Sequence, residues 1–198
     1  MVRQGTEIFW VVGWALYLFG VYAPSARKFR KKEIDRERTR LLDALIDFTT
    51  FTTWQIVPIL YIFSSWFDYA DYSLPEWTRL LGAACFTGAL LILWRAYADL
   101  GENWSPKLDT RRDQGLVTCG IYRLIRHPIY AGILLWALSH PLLFHNWITG
   151  LGFVLTFTPL YLIRVPREEA LMIDGFGDSY REYMRQTPRL IPRVGRRP

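Results

Sequence analysis

The feature that most constrains this chain is the separation of its apolar and charged residues into alternating stretches. Hydrophobic residues make up 51% of the sequence and charged residues 21%, yet the charged ones gather in a few short segments. An α-helix needs about 20 predominantly apolar residues to cross a bilayer. The apolar runs of or near this length are Ile8–Ala23, Leu45–Trp66, Trp77–Tyr97, Ile129–Phe144 and Trp147–Ile163. The sequence therefore predicts an all-α, polytopic membrane protein with about five transmembrane helices.

The charge of the connecting segments predicts how these helices are oriented. Residues 27–40, residues 99–127 and the tail from Arg164 are rich in Lys and Arg, whereas residues 68–76 carry only acidic charges. Lys and Arg accumulate in cytoplasmic loops. A chain in the cell membrane with its N-terminus outside and its C-terminus in the cytoplasm places all three basic segments on the cytoplasmic side. The site is expected on that side as well.

Other interpretations of the composition are less favoured. A secretory signal peptide would explain the first apolar run, but only Arg3 precedes it as a basic residue, and Pro24 follows the one plausible cleavage point. The net charge of +6 suggests a nucleic-acid partner, but the basic residues flank apolar runs instead of forming a separate domain. Cys85 and Cys119 have no CxxC spacing. We therefore expect no nucleic-acid partner, no disulfide framework and no metal site.

The fourth and fifth apolar runs are separated only by His145 and Asn146, which forces an antiparallel helical hairpin. Such a hairpin brings the start of one helix beside the end of the other. We therefore expect His127 and Arg164 to lie within the width of one pocket. Pro128 suits the first position of the fourth helix, whose free N–H groups would attract a carboxylate or a phosphate.

The tail carries a helical pattern of its own. Apolar residues recur at three- and four-residue steps from Ile173 to Tyr183, which predicts short helices at the cytoplasmic membrane surface. Pro166 is expected in the first turn of such a helix, and Gly175 and Gly177 in a break between two of them. The predicted organisation is therefore transmembrane helices 1–3 in residues 1–98, and a loop, hairpin and tail in residues 99–198.

Polar residues within the spans are interpreted as contacts between helices. Asp47 and Arg95 lie near the predicted cytoplasmic ends of the second and third spans, so a pair between them is one hypothesis. Gly82 and the small residues around it predict close packing of the third span. His140 and His145 lie near the outer turn, far from the predicted pocket, and receive no functional role.

An ordered set of short motifs occupies the second half of the chain. It comprises Gly115-Leu116-Val117, Gly120-Ile121-Tyr122, Arg126-His127-Pro128-x-Tyr130-x-Gly132, Glu168-Glu169, Phe176-Gly177, Tyr180 and Tyr183. In this order the set resembles the isoprenylcysteine carboxyl methyltransferase family, and most of all its small five-helix prokaryotic members. The resemblance implies that S-adenosylmethionine binds in a cytoplasm-facing pocket made by the long loop, the hairpin and the tail. It also implies that a lipophilic substrate enters from the bilayer.

The resemblance implies roles for individual residues. Arg164 and Glu169 match the pair at the substrate end of the site and are candidate catalytic residues. The candidates for cofactor binding are Leu116, Val117, Tyr122, His127, Pro128, Tyr130, Gly132 and Glu168. The division of roles between Glu168 and Glu169 stays open, because the glutamate run is longer in some eukaryotic members.

The expected reaction is direct displacement at the sulfonium methyl group by a substrate carboxylate. A carboxyl group with a pKa near 4 is already ionised at neutral pH and needs no general base. Arg164 would hold it by a planar two-pronged contact. Three alternatives remain open: N-methylation of a phospholipid amine, in which a glutamate would remove a proton, a nicotinamide-dependent sterol-type reductase, and a non-enzymatic membrane scaffold that binds anionic lipids.

Overall fold

The computed structural model describes residues 2–30, 41–101 and 115–193. Within these ranges the chain forms helices and turns and no strand, apart from one isolated bridge between Asp71 and Asn146. The all-α prediction is confirmed. Parts of all three predicted basic segments, residues 31–40, 102–114 and 194–198, lie outside the described residues.

The α-helices of the described ranges are numbered in chain order. They are α1 (Val2–Ala15), α2 (Ala23–Arg30), α3 (Leu41–Phe51), α4 (Val57–Phe63), α5 (Trp77–Leu100), α6 (Pro128–Phe144), α7 (Trp147–Phe176) and α8 (Asp178–Gln186). A π-helical segment, Leu16–Tyr22, joins α1 to α2, and a second one, Thr52–Ile56, joins α3 to α4. Each of these pairs therefore forms one continuous helix.

Four of the helices are long and apolar enough to cross a bilayer: Gly5–Arg27, Ala44–Phe63, α5 and α7. The remaining predicted span corresponds to α6, an apolar helix of 17 residues. At 1.5 Å per residue, α6 is about 25 Å long, slightly less than the thickness of a hydrocarbon core. Each predicted apolar run thus coincides with a helix, and the protein is an integral membrane protein.

The turn between α6 and α7 closes the predicted hairpin. His145 adopts a left-handed conformation with a φ of 50°, and the Asn146 side chain accepts hydrogen bonds from two N–H groups in the first turn of α7. A Cβ atom on Gly150 would lie 2.8 Å from Cα of Pro141, so the two helices touch at their backbones near this turn. The hairpin prediction is confirmed.

The predicted boundary between the fifth span and the tail is wrong. The helix α7 continues for 30 residues without interruption, and Pro166 lies in its interior instead of opening a new helix. A proline removes one N–H donor, but membrane helices tolerate the loss because neighbouring groups satisfy the freed carbonyl. The predicted break lies at Gly177, which has a φ of 57° and is followed by α8.

Aromatic side chains fill the interior between the spans. Trp10 and Trp136 donate their indole N–H groups to Nε2 of His140, at 3.2 Å and 3.1 Å, and all three side chains are fully buried. His140 therefore links the first span to the hairpin. A Cβ atom on Gly82 would lie 2.9 Å from Cβ of Leu142, which confirms the close packing predicted for the third span.

Candidate active site

Two consecutive carboxylates of α7 organise the polar residues at the end of the hairpin opposite its turn. His127 immediately precedes α6, and Glu168 and Glu169 lie on α7. The imidazole Nε2 of His127 lies 3.2 Å from Oε1 of Glu169, and its Nδ1 lies 3.9 Å from Oε2 of Glu168. The predicted meeting of the start of one helix with the end of the other is confirmed.

Glu168 is the more accessible of the two carboxylates, with 27% of its side chain exposed. The Tyr130 hydroxyl donates a hydrogen bond of 2.5 Å to Oε1 of Glu168, and Nε of Arg164 lies 3.3 Å from the same oxygen. Arg164 and Glu168 are four residues apart, so their side chains share one face of α7. Nη1 of Arg164 also donates to Oδ1 of Asp47, on α3, at 3.0 Å.

Glu169 is buried, with 4% of its side chain exposed, and is surrounded by donors. Nη2 of Arg126 lies 2.8 Å from its Oε1, and Arg189 approaches both oxygens, with Nε 3.0 Å from Oε1 and Nη2 2.5 Å from Oε2. The bonds to Glu169 raise the pKa of Arg189. Two arginines and His127 therefore hold this carboxylate in a fixed position.

The residues after α8 are fastened to the start of α6. The backbone N–H groups of Arg126 and His127 donate to the carbonyls of Pro188 and Arg189, at 2.8 Å and 3.0 Å. The Arg126 guanidinium donates to the Met184 carbonyl at 3.0 Å and also to the Thr187 carbonyl. A cation at these positions stabilises the carbonyl end of α8. The end of the tail is therefore one wall of the candidate site.

The segment that leads to α6 contains a tight turn at Gly120, where φ is 58°. Oδ2 of Asp99 accepts the Ile121 N–H at 2.7 Å. The Tyr183 hydroxyl donates to the Tyr122 carbonyl at 2.5 Å. Burial raises the pKa of the Tyr122 phenol, which therefore stays protonated at physiological pH. Asp99 and Tyr183 thus hold the turn between the third span and the tail.

Comparison with known proteins shows which family the chain resembles. The model of the isoprenylcysteine carboxyl methyltransferase (ICMT) family matches residues 80–174. The protein-S-isoprenylcysteine O-methyltransferase of Schizosaccharomyces pombe is 37% identical over 101 residues, which are 50% of this chain and 43% of the relative. Residues 80–174 of this chain are thus similar to the isoprenylcysteine carboxyl methyltransferase family.

Two further comparisons extend the family match to most of the chain. The protein-S-isoprenylcysteine O-methyltransferase of Dictyostelium discoideum is 27% identical over 186 residues, covering 91% of this chain and 72% of that protein. A solved structure titled as the eukaryotic intramembrane Ras methyltransferase ICMT has a TM-score of 0.55 and 21% identity, covering 81% of this chain and 55% of that one. It shows the same fold. Except for the Dictyostelium protein, the chain spans about half or less of the curated relatives it matches.

The candidate site brings most of the predicted residues together. Those that form the two carboxylate clusters, or adjoin a cluster residue in the chain, are His127, Pro128, Tyr130, Arg164, Glu168 and Glu169. Tyr122 reaches the site through Tyr183, and Leu116 and Val117 are half-buried just before the Gly120 turn. A Cβ atom on Gly132 would lie 2.7 Å from Cγ of Leu93 on α5. Close helix packing therefore explains that glycine, and its predicted role in cofactor binding stays a prediction.

The ion pairs of Arg164 and Arg95 are now defined. Arg164, a candidate catalytic residue, forms ion pairs with Glu168 and Asp47, and its predicted role together with Glu169 at the substrate end stays a prediction. The hypothesis of a pair between Asp47 and Arg95 is wrong, because Arg95 pairs with Asp99 one turn along its own helix, at 2.8 Å. Asp47 instead faces the fifth span.

Sequence reasoning missed Arg189 in this candidate site. The residue lies outside the region matched by the family model. Arg181, Arg185, Arg189 and Arg193 recur every four residues, but α8 ends at Gln186, so this spacing does not indicate where Arg189 lies. Its only sequence signal is its place directly after Thr187-Pro188, where α8 has ended and the chain must turn back. That signal indicates a turn but does not identify its ionic partner.

Proposed function

We propose that this chain is an S-adenosylmethionine-dependent integral membrane methyltransferase that esterifies the carboxylate of an isoprenylcysteine-like, lipophilic acceptor. Similarity to the isoprenylcysteine carboxyl methyltransferase family supports the class of reaction. The observation that carries the proposal is the placement of Glu168 between Arg164 and Tyr130, at one end of a membrane hairpin. A cationic donor and an anionic acceptor each find a partner of opposite charge within this cluster.

The residues of the cluster fit a sulfonium ligand. Glu168 is partly accessible and can approach a cation, whereas Glu169 is buried and already engaged by two arginines. This difference favours Glu168 as the cofactor-binding carboxylate. Glu169, predicted at the substrate end, then acts by holding Arg126, His127 and the tail in place. The proposed cofactor-binding surface also includes Leu116, Val117, Tyr122 and Pro128.

Arg164 is the proposed partner of the acceptor carboxylate. Its guanidinium is 25% exposed and lies in the cluster that contains Glu168, and a guanidinium matches a carboxylate in a planar two-pronged contact. Because α7 is a membrane-crossing helix, an apolar acceptor could approach this guanidinium from the bilayer.

The proposed reaction depends on the positioning of the reactants more than on proton transfer. When bound, S-adenosylmethionine supplies a methyl group on a positively charged sulfur, and the acceptor oxygen forms its bond to carbon as the carbon–sulfur bond breaks and the electron pair stays on sulfur. Arg164 orients the ionised carboxylate, Glu168 fixes the opposing cation, and Tyr130 fixes Glu168. A cation and an anion become two neutral products, so exclusion of water by the surrounding helices favours the reaction.

We place this site on the cytoplasmic side, with the N-terminus outside. The supporting observation is charge: the basic segments of the sequence follow the first and third spans and the hairpin, at the end where Arg126, Arg164 and Arg189 lie. Positive charge of this kind marks the cytoplasmic face. Membrane lipids surround the spans, and the acceptor enters from them.

Two measurements on the purified protein in detergent test the function. Calorimetry is expected to show binding of S-adenosylhomocysteine, and labelled methyl groups from S-adenosylmethionine are expected to pass to N-acetyl-S-farnesylcysteine. The methyl ester of the same compound is the matched control, because it keeps the lipid but has no free carboxylate. Transfer to phosphatidylethanolamine but not to the farnesylcysteine would contradict the proposal. The relatives described above support neither that activity nor a reductase or scaffold function.

A further inference from the structure

The second span reaches the candidate site through a polar stripe. Asp47, Thr50 and Thr53 recur every three residues along one side of this span. The Thr50 hydroxyl donates to the Thr156 carbonyl on α7 at 3.2 Å, and the Thr53 and Thr156 hydroxyls lie 2.6 Å apart. Hydrogen bonds between polar side chains are a principal means by which helices associate in a membrane. They fix the second span against the fifth.

This register determines where Asp47 lies. Thr156 and Arg164 are separated by just over two helical turns on α7, and the second span runs past them in the opposite direction. Asp47 lies about one turn beyond Thr50, and the long Arg164 side chain reaches back along α7 toward it, so that Oδ1 of Asp47 lies 3.0 Å from Nη1. The Arg164 guanidinium is consequently held from two sides, by Glu168 on its own helix and by Asp47 on a neighbouring span.

We propose that Asp47 is a positioning residue for the acceptor, acting through Arg164. The inference rests on the function proposed above. An arginine side chain has many rotamers, and a two-pronged contact with a carboxylate requires one orientation of the guanidinium plane. Holding that plane before the acceptor arrives lowers the entropic cost of binding. Asp47 lies outside residues 80–174, the region that the family model matches.

The exposure of the pair separates this role from a purely structural one. The Asp47 side chain is 52% exposed and that of Arg164 is 25% exposed. Asp47 lies about one turn inside the end of its span, within reach of interfacial water, and ion pairs screened by water contribute little to the stability of a fold. Removing the Asp47 charge should therefore leave the melting temperature almost unchanged, while a guanidinium that is no longer oriented should bind the acceptor less well.

The experiment compares variants of the full chain in lipid nanodiscs, with N-acetyl-S-farnesylcysteine as the acceptor. Asp47→Asn is expected to raise the KM for this acceptor about tenfold and to change kcat less. The dissociation constant for S-adenosylhomocysteine and the melting temperature should stay at the parent values, and Asp47→Glu should restore most of the KM. Glu76→Gln is the matched control, because it removes an exposed carboxylate that pairs with the largely buried Arg79 at the opposite end of the spans.

A second comparison tests whether Asp47 works through Arg164. In an Arg164→Lys background, Asp47→Asn should add no further increase in KM. An unchanged KM in Asp47→Asn, with an active parent, would overturn the positioning role and leave the proposed function standing. A lower melting temperature or weaker S-adenosylhomocysteine binding in that variant would also overturn it, by assigning Asp47 to the fold. A parent that methylates no farnesylcysteine would overturn the function and the positioning role together.

Discussion

Arg189 and Glu169 form a two-point ion pair, with the arginine Nε 3.0 Å from Oε1 and Nη2 2.5 Å from Oε2. The pair joins the end of the tail to the fifth span. Two backbone hydrogen bonds from Arg126 and His127 to Pro188 and Arg189 reinforce it. The tail is therefore an integral part of the candidate site.

Loss of this pair should loosen the tail. Arg189→Ala leaves Glu169 with Arg126 and His127, and because Arg189 is 47% exposed the cost should be on the order of 1 kcal/mol. For a chain of this size that corresponds to a melting temperature lower by about 2–4 °C. Thermal unfolding in detergent measures it. Arg185→Ala, which removes a more exposed arginine from a pair within α8, should have almost no effect, and equal losses in the two variants would contradict the assignment.

The two glutamates should respond differently to the same substitution. Glu168→Gln is expected to weaken S-adenosylmethionine binding about tenfold or more, and to weaken S-adenosylhomocysteine binding less, because only the former carries the sulfonium charge. Its melting temperature should change little, since Glu168 is partly exposed. Calorimetry with both ligands measures how far each dissociation constant changes in the variant.

Glu169→Gln is expected to destabilise the protein instead. It leaves Arg126, whose side chain is 7% exposed, without its buried counter-charge, and breaking such a pair costs about 3–5 kcal/mol. Thermal unfolding of both variants side by side is the measurement. If Glu168→Gln unfolds earlier than Glu169→Gln, the division of roles proposed for the two carboxylates is wrong.

The Gly120 turn offers a matched pair of glycine substitutions. Gly120 and Gly101 both have positive φ, but a Cβ atom on Gly120 would lie 2.0 Å from Oδ2 of Asp99, whereas one on Gly101 would meet nothing within 4 Å. Gly101→Ala should cost only the backbone strain of a φ of 54° with a ψ of −123°, a conformation that L residues rarely adopt, on the order of 1–3 kcal/mol. Gly120→Ala should also displace Asp99 and abolish most S-adenosylhomocysteine binding. Calorimetry and thermal unfolding distinguish the two variants, and indistinguishable behaviour would exclude a role for the turn.

The chain contains its own reporter of orientation. Cys119 is exposed beside the Gly120 turn, and Cys85 is only partly buried within α5. In the Cys85→Ala variant, a membrane-impermeant maleimide should label Cys119 in inverted vesicles and not in right-side-out ones. Labelling from the outside would reverse the proposed topology and place the site away from the cytoplasm.

The parts of the fold that the sequence predicts are those fixed by short-range constraints. A turn of two residues, His145 and Asn146, leaves two apolar helices no arrangement except an antiparallel hairpin, so the meeting of His127 with the glutamates follows from chain geometry alone. The charge of the loops can likewise be taken directly from the sequence. The length of α7 is not, because Pro166 fits a first helical turn as well as the interior of a packed membrane helix.

Two contacts that escaped prediction, Arg164 with Asp47 and Arg189 with Glu169, join distant segments. Arg95 and Arg164 are both predicted at the same depth in the membrane as Asp47. Asp47 pairs with Arg164 because threonines of the second and fifth spans pack against each other. The position of Arg189 depends on a backbone reversal at Thr187-Pro188, which no periodic sequence pattern predicts. Such choices depend on side-chain packing between elements, which a single sequence does not encode in its local pattern.

The uninterrupted length of α7 has a consequence for how the protein meets its surroundings. One continuous helix connects the hairpin turn at Asn146 to Glu168, so the depth of the polar clusters beneath the headgroups depends on bilayer thickness rather than on any loop. A thinner or thicker membrane would raise or lower the whole assembly relative to lipid-borne molecules. The lipid composition of the host membrane thereby affects how the methyl donor and the acceptor are aligned.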